Sequence, residues 1–240
     1  MQFRVLGPLE IETDGGLLPL RGAKQRALLA LLLMNPNEVV SRDLLIEGLW
    51  GETADEHAGH TLEAQVSRLR KSLRPAGGQL LLTRGTGYQL NVGADELDVL
   101  LFERLLEQAG SALGEGDAAG AAATIREALA LWRGRPFEDV TYESFARIEI
   151  ERLEELRLSA VEDRMEAELL LGGHAQLIPE LEAMVRTHPL RERVRAQLML
   201  ALSRRTITIT GLTSQPGRRS SSPTARRPAA AEAQPLRRAR

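Results

Sequence analysis

The stretch from His60 to Leu73 does most to limit what this chain can fold into. At 100° per residue, Val66, Leu69 and Leu73 all fall within about 40° of Leu62, so every large apolar side chain lies in one narrow stripe. Such a stripe belongs to a helix with one face against a core and the other free. The free side carries His60, Thr61, Ala64, Ser67, Arg68 and Lys71, with Gln65 and Arg70 on its flanks and Glu63 as its lone acid. Two strand-like runs follow, Leu80 to Arg84 and Tyr88 to Val92, and Gly85-Thr86-Gly87 between them predicts a hairpin. A small, polar and basic helix face suits a DNA major groove, because Arg forks onto guanine and short side chains permit close approach.

Upstream, Phe3 and Val5, then Leu9 and Ile11, alternate with polar neighbours, and Asp14-Gly15-Gly16 supplies turn chemistry, so a small antiparallel sheet is expected. From Gly22 the period becomes helical through Leu28, Leu31 and Leu32, until Asn35-Pro36-Asn37 stops a helix over roughly 23–34. Ser41 is a good N-cap for a second helix carrying Leu44, Leu45 and Leu49 and ending near Trp50-Gly51. Sheet, three helices and a closing hairpin make a winged helix-turn-helix pattern. Leu62, Val66, Leu69, Leu73, Tyr88 and Trp50 are its expected core.

Beyond residue 96 the sequence is helical almost throughout. Phe102, Leu105, Leu106 and Ala109 form one stripe, and Ala121, Ile125, Ala128, Leu129 and Trp132 another, with Gly114-Glu115-Gly116 turning the chain between them. Leu153, Leu156 and Ala160 mark a long helix after Arg135-Pro136. Gly172-Gly173 separates it from one bearing Leu177, Leu181, Met184 and Val185, and a last stripe holds Leu190, Val194, Leu198 and Ala201. Stacked hairpins of this kind resemble tetratricopeptide units, although a clean 34-residue period is absent. From Thr206 the composition turns to Arg, Ser, Pro, Ala and Gly, which cannot bury enough apolar surface to offset chain entropy, so disorder is expected over 206–240. The fold class is therefore mainly α: a winged helix (α+β) over 1–94, an all-α tetratricopeptide-like domain over 96–205, and a disordered basic tail.

Charge separates the same three segments. Residues 1–95 carry 10 basic and 11 acidic side chains, residues 96–203 carry 12 and 21, and residues 204–240 carry 9 and 1. Within the first, Arg68, Arg70, Lys71, Arg74 and Arg84 create a local field that attracts a polyanion. The absence of cysteine removes disulfides, thiolate metal sites and Cys nucleophiles together, and fits a cytoplasmic setting. No run of about 18 apolar residues offers a membrane span. His57, His60 and Glu63 recur three apart but do not converge as metal ligands, so no metal is expected. Neither a Walker A sequence nor a base-and-nucleophile constellation occurs, so no cofactor, no catalytic residue and no enzyme activity are expected.

Leu82-Thr83-Arg84-Gly85-Thr86-Gly87-Tyr88-Gln89-Leu90, following Ser67-Arg68-Leu69-Arg70-Lys71-Ser72-Leu73, resembles the effector domain of OmpR/PhoB-type regulators. With Leu6-Gly7-Pro8-Leu9-Glu10, Lys24-Gln25-Arg26, Val40-Ser41-Arg42, Leu49-Trp50-Gly51 and the helical second half, residues 2–203 resemble the antibiotic-regulatory-protein (SARP) family. In that family a winged helix precedes a bacterial transcriptional activation domain. The resemblance implies an activator, with secondary-metabolite genes as targets, that binds direct repeats in double-stranded DNA near promoters, contacts RNA polymerase and can sit on DNA as a homodimer. On this reading His60, Thr61, Ala64, Gln65, Ser67, Arg68, Arg70 and Lys71 face DNA together with wing residues Arg84 and Thr86. Arg21, Lys24 or Arg26 neutralises phosphates, and Glu52, Asp55 and Glu56 are candidates for touching polymerase. The rival is a helical scaffold whose winged helix binds protein. One departure from the family lies at the end: Gln197 to Leu202 looks like the first helix of its last hairpin, but Thr206-Ile207-Thr208-Ile209-Thr210 stands where a Gly turn and an Ala-Leu helix should follow. That change resembles a shifted reading frame and leaves the last helix without its expected cover.

Overall fold

The computed structural model describes residues 1–74 and 80–213, the last stretch from 205 as backbone alone. Three short strands open the chain: β1 (Gln2–Arg4), β2 (Glu10–Thr13) and β3 (Gly16–Leu17), paired antiparallel in that order with Phe3 opposite Ile11. The alternation seen in the sequence turns Phe3 and Ile11 inward, where both are buried. Next come helix α1 (Ala23–Leu33), strand β4 (Val39–Ser41) and helices α2 (Arg42–Trp50) and α3 (Ala58–Leu73), after which β5 (Leu81–Arg84) and β6 (Gly87–Leu90) form the hairpin. Ser41 caps α2 as expected, its hydroxyl accepting from the Leu44 amide at 3.2 Å.

The hairpin belongs to a three-stranded sheet. β4 pairs with β6, bringing Val40 opposite Tyr88 and giving the order β4-β6-β5. Gly87 makes this possible, since a Cβ there would sit 2.3 Å from the Val40 carbonyl oxygen. Sequence periodicity missed β4 because three residues are too few to show alternation. The stripe on α3 packs as expected, with Leu62, Val66, Leu69 and Leu73 all buried beside Leu28, Leu32, Leu45 and Leu49. Trp50 is only half-buried at the edge of that cluster.

The second half holds α4 (Asp98–Gly114), α5 (Ala118–Ala130), α6 (Arg147–Leu170), α7 (His174–Thr187) and α8 (Glu192–Thr213). Antiparallel pairs α4/α5 and α7/α8 give the expected helical hairpins, with α6 packed between them. One expectation needs correcting. Leu190 is not on the buried stripe of the last helix: it lies in the turn set up by Pro189, before α8 begins, and is 91% exposed. The described backbone of α8 runs through Thr213. Of the tail, 214–240 lies outside the described residues.

A strap from Val5 to Leu9 joins the halves. The Val5 and Leu6 amides donate to the buried Asp98 carboxylate at 2.9 and 3.0 Å, and the Leu9 amide donates to Asp139 at 2.5 Å. In return the Arg133 and Phe137 amides donate to the carbonyls of Leu6 and Val5 at 2.8 and 2.7 Å. Gly7, at φ 156°, sits so close to this loop that a Cβ would lie 3.0 Å from that of Arg133. One apolar cluster consequently runs from Phe3 through α1 and α3 to Leu153 and Ala167.

Candidate nucleic-acid interface

Burying one stripe of α3 forces the rest outward. His60, Thr61, Ala64, Ser67, Arg68, Arg70 and Lys71 are exposed and Gln65 is half-buried. At the wing tip Arg84 and Thr86 are both exposed. Its turn depends on Gly85, whose φ of +53° a side chain would strain. Arg84 donates from Nε to Gln89 Oε1 at 3.3 Å, a weak tie that leaves the guanidinium at the surface.

The acid on this face does not cancel its field. Glu63 accepts from Arg42 of α2 at 2.8 Å and lies 3.8 Å from His60 Nδ1. That hydrogen bond from Arg42 holds the Glu63 carboxyl below its ordinary pKa and raises that of Arg42. Arg42 also donates to the Gly59 carbonyl at 3.3 Å, and its own amide donates to the Thr86 carbonyl at 3.1 Å. One residue therefore ties α2, the start of α3 and the wing together. The sequence shows Arg42 only as part of Val40-Ser41-Arg42 beside a helix cap, and nothing there announces these contacts.

Basic residues near α1 divide in the same way. Lys24 donates to the Leu49 carbonyl at the end of α2, and Arg26 pairs with Asp139 of the helical half. Both are candidates for phosphate, and each also has a partner within the fold. Arg21 is exposed and lines a cleft of about 280 Å³ with Gly22, Lys24, Gln65 and Arg68. The first turn of α1 carries no side-chain cap, so its amides open beside this cleft. An uncapped helix start flanked by two arginines can receive an anionic oxygen.

Arg70 is exposed yet held: its Nε donates to the Leu81 carbonyl at 2.9 Å and its Nη2 to Thr83 Oγ1 at 2.8 Å, which turns its guanidinium toward β5. Glu52, Asp55 and Glu56 are exposed in the loop before α3, where the Asp55 side chain accepts from the His57 amide at 3.0 Å. Among the described residues no group of three metal-ligating side chains converges, and no helix is long and apolar enough to cross a membrane.

Comparison with known proteins places this geometry. The family model for "Transcriptional regulatory protein, C terminal" matches residues 20–90, and that for "Bacterial transcriptional activator domain" matches 97–207. The chain is 37% identical over 212 residues to the regulatory protein DnrI of Streptomyces peucetius, covering 85% of this chain and 78% of that one. It belongs to the SARP family of transcriptional activators. The regulatory protein AfsR of Streptomyces griseus is 36% identical over 204 residues, but the match spans only 20% of its length. A solved structure of Mycobacterium tuberculosis EmbR, in complex with a low affinity phosphopeptide, superposes with a TM-score of 0.82 at 32% identity. It covers 88% of this SARP chain and 56% of the EmbR chain. The mainly α architecture with an N-terminal winged helix is thus shared with that structure over the matched residues.

Proposed function

We propose that this SARP is a sequence-specific DNA-binding activator of secondary-metabolite genes, acting in the cytoplasm. Residues 1–94 bind direct repeats in double-stranded DNA and residues 96–205 make protein contacts. One observation carries this reading: α3 exposes a small and basic face and is tied by side chains to the wing, whose tip exposes Arg84. Arg68 reads a base, while Lys71, Arg84 and the cleft at Arg21 and the start of α1 contact phosphates. His60, Thr61, Ala64, Gln65 and Ser67 shape the groove-facing surface, and Thr86 supports the wing tip. Glu52, Asp55 and Glu56 meet RNA polymerase. Two copies align head to tail, so a spacing of about 10 to 11 bp puts both α3 helices on one face of the duplex.

The test uses duplexes enriched by the protein from a random-sequence pool. Enriched sites should be direct repeats, and affinity should fall steeply with salt. Arg68→Ala should cost about 1–3 kcal/mol on those sites and relax preference at one position, whereas Arg84→Ala should weaken all sequences and shallow the salt slope. Inserting five base pairs between the repeats should abolish cooperative binding. No enrichment, or palindromic sites, would overturn the reading.

A further inference from the structure

We propose that Arg70 is a positioning residue that locks the wing against α3, and that its charge is not a DNA contact. The proposal rests on the DNA-binding reading for its functional consequence, but the lock itself is a property of the free protein.

The argument starts from strand pairing. In β5 and β6, Leu82 faces Gln89 and Arg84 faces Gly87, while the Leu80 carbonyl accepts from the Asn91 amide at 2.8 Å. Backbone groups alternate in direction along a strand, so with the Leu80 carbonyl turned toward β6 the Leu81 carbonyl faces the open edge of β5. That edge is where a wing hairpin has least to hold it, since β6 is already secured on its other side by β4. Arg70 supplies the missing donor. Its Nε–H reaches the Leu81 carbonyl at 2.9 Å and its Nη2 reaches Thr83 Oγ1 at 2.8 Å, two contacts on the same strand. Its guanidinium carbon also lies 5.9 Å from the ring centroid of Tyr88 on β6, within reach of a cation–π interaction. Three partners on two strands thus meet one side chain of α3. Arg68, two residues earlier on the same helix, makes no comparable contact among the described residues.

This arrangement needs a guanidinium. A planar fork can meet a carbonyl and a hydroxyl from fixed directions while stacking near a ring; a lysine ammonium is a point charge on a flexible stem and cannot hold all three. A phosphate contact, in contrast, tolerates Lys for Arg. Arg70→Lys therefore separates the two roles.

If Arg70 positions the wing, Arg70→Lys should lose about tenfold in affinity on an enriched duplex, close to the loss in Arg70→Gln, with a salt slope like that of the unmodified protein. Arg84→Ala should then cost less in the Arg70→Lys background than alone, because an unlocked wing has already lost its placement. Thr83→Val should give a smaller loss in the same direction. Arg70→Lys binding within about twofold of the unmodified protein, with Arg70→Gln alone weakened and its salt slope shallower, would overturn the proposal in favour of a phosphate contact.

A measurement without DNA keeps the lock distinct from the functional reading. Hydrogen exchange on the free protein should show faster exchange over residues 81–90 in Arg70→Lys, with α1 and α2 unchanged. Unaltered protection of the wing would overturn the proposal whatever the protein binds. Failure to enrich any duplex would sink the DNA-binding reading and leave this result standing.

Discussion

The apolar cluster that begins at Phe3 continues without a break to Ala167, whereas the last hairpin, α7 with α8, closes over a separate and smaller cluster around Met165, Leu177, Leu181 and Val194. Different forces hold the two. The first is built from fully buried leucines and phenylalanines on strands and helices far apart in sequence. The second is pinned by charge: Glu162, 5% exposed on α6, meets Arg191 at 2.7 Å, while Arg193 reaches Asp163 at 2.6 Å and also pairs with Glu166. On the outer side of α8, Met199, Leu200 and Leu202 are exposed. On the proposed DNA-binding reading the exposed face of α3 must be held within small tolerances, and its buried stripe belongs to the large core. The last hairpin is free of this demand.

The largest expected effect comes from cutting the large core. Leu62→Ala removes a fully buried side chain from α3 and should cost about 2–5 kcal/mol, with global loss of both DNA binding and helical signal. Leu181→Ala, equally buried in the smaller cluster, should open α7 and α8 while residues 1–150 stay folded and DNA binding survives. Urea unfolding followed by both circular dichroism and binding separates the cases. Loss of DNA binding in Leu181→Ala would show that the two clusters behave as one.

This contrast also shows what the sequence could reveal. Stripes such as Leu62, Val66, Leu69 and Leu73 were legible because burial imposes a helical period. The wing was legible because Gly85 and Gly87 have backbone reasons to be there. Partnership across long separations was not: nothing local in Asp98, Arg133 or Asp139 announces that they hold a strap at Val5 to Leu9. The same limit explains the site. Arg68 and Arg70 look alike as exposed basic residues of one helix, and only the position of β5 distinguishes a side chain facing outward from one turned onto the Leu81 carbonyl.

A second, smaller effect tests the charge-pinned half. Glu162→Gln leaves the Arg191 guanidinium without its buried carboxylate and should destabilise α7 and α8 by about 1–3 kcal/mol. Hydrogen exchange should accelerate over 190–204 and stay unchanged over 23–33. Even in the unmodified protein, protection over 190–204 should fall below that over 150–170, because the outer face of α8 is exposed. Equal protection in the two stretches would contradict the comparison.

The smallest effect concerns the strap, where the large core holds a buried carboxyl group. Burial pushes the Asp98 carboxyl above its ordinary pKa, against the lowering influence of the Leu6 and Val5 amides and of Arg133 at 3.9 Å. A carboxyl raised in the folded state stabilises the fold fully below its unfolded pKa, about 3.9, and loses that contribution as pH rises through the folded value. An asparagine in its place would not titrate. Asp98→Asn should therefore be the less stable protein at acid pH, where its amide nitrogen replaces an oxygen that accepts from the strap, and should gain on the unmodified protein as pH rises toward neutrality. The gain amounts to about 1.4 kcal/mol for each unit by which the pKa is raised. Urea midpoints measured from pH 4 to 7 decide the matter. A gap that stays constant, or that widens against Asp98→Asn with rising pH, would mean that the strap amides and Arg133 outweigh burial and that Asp98 is a net stabilising anion at the junction.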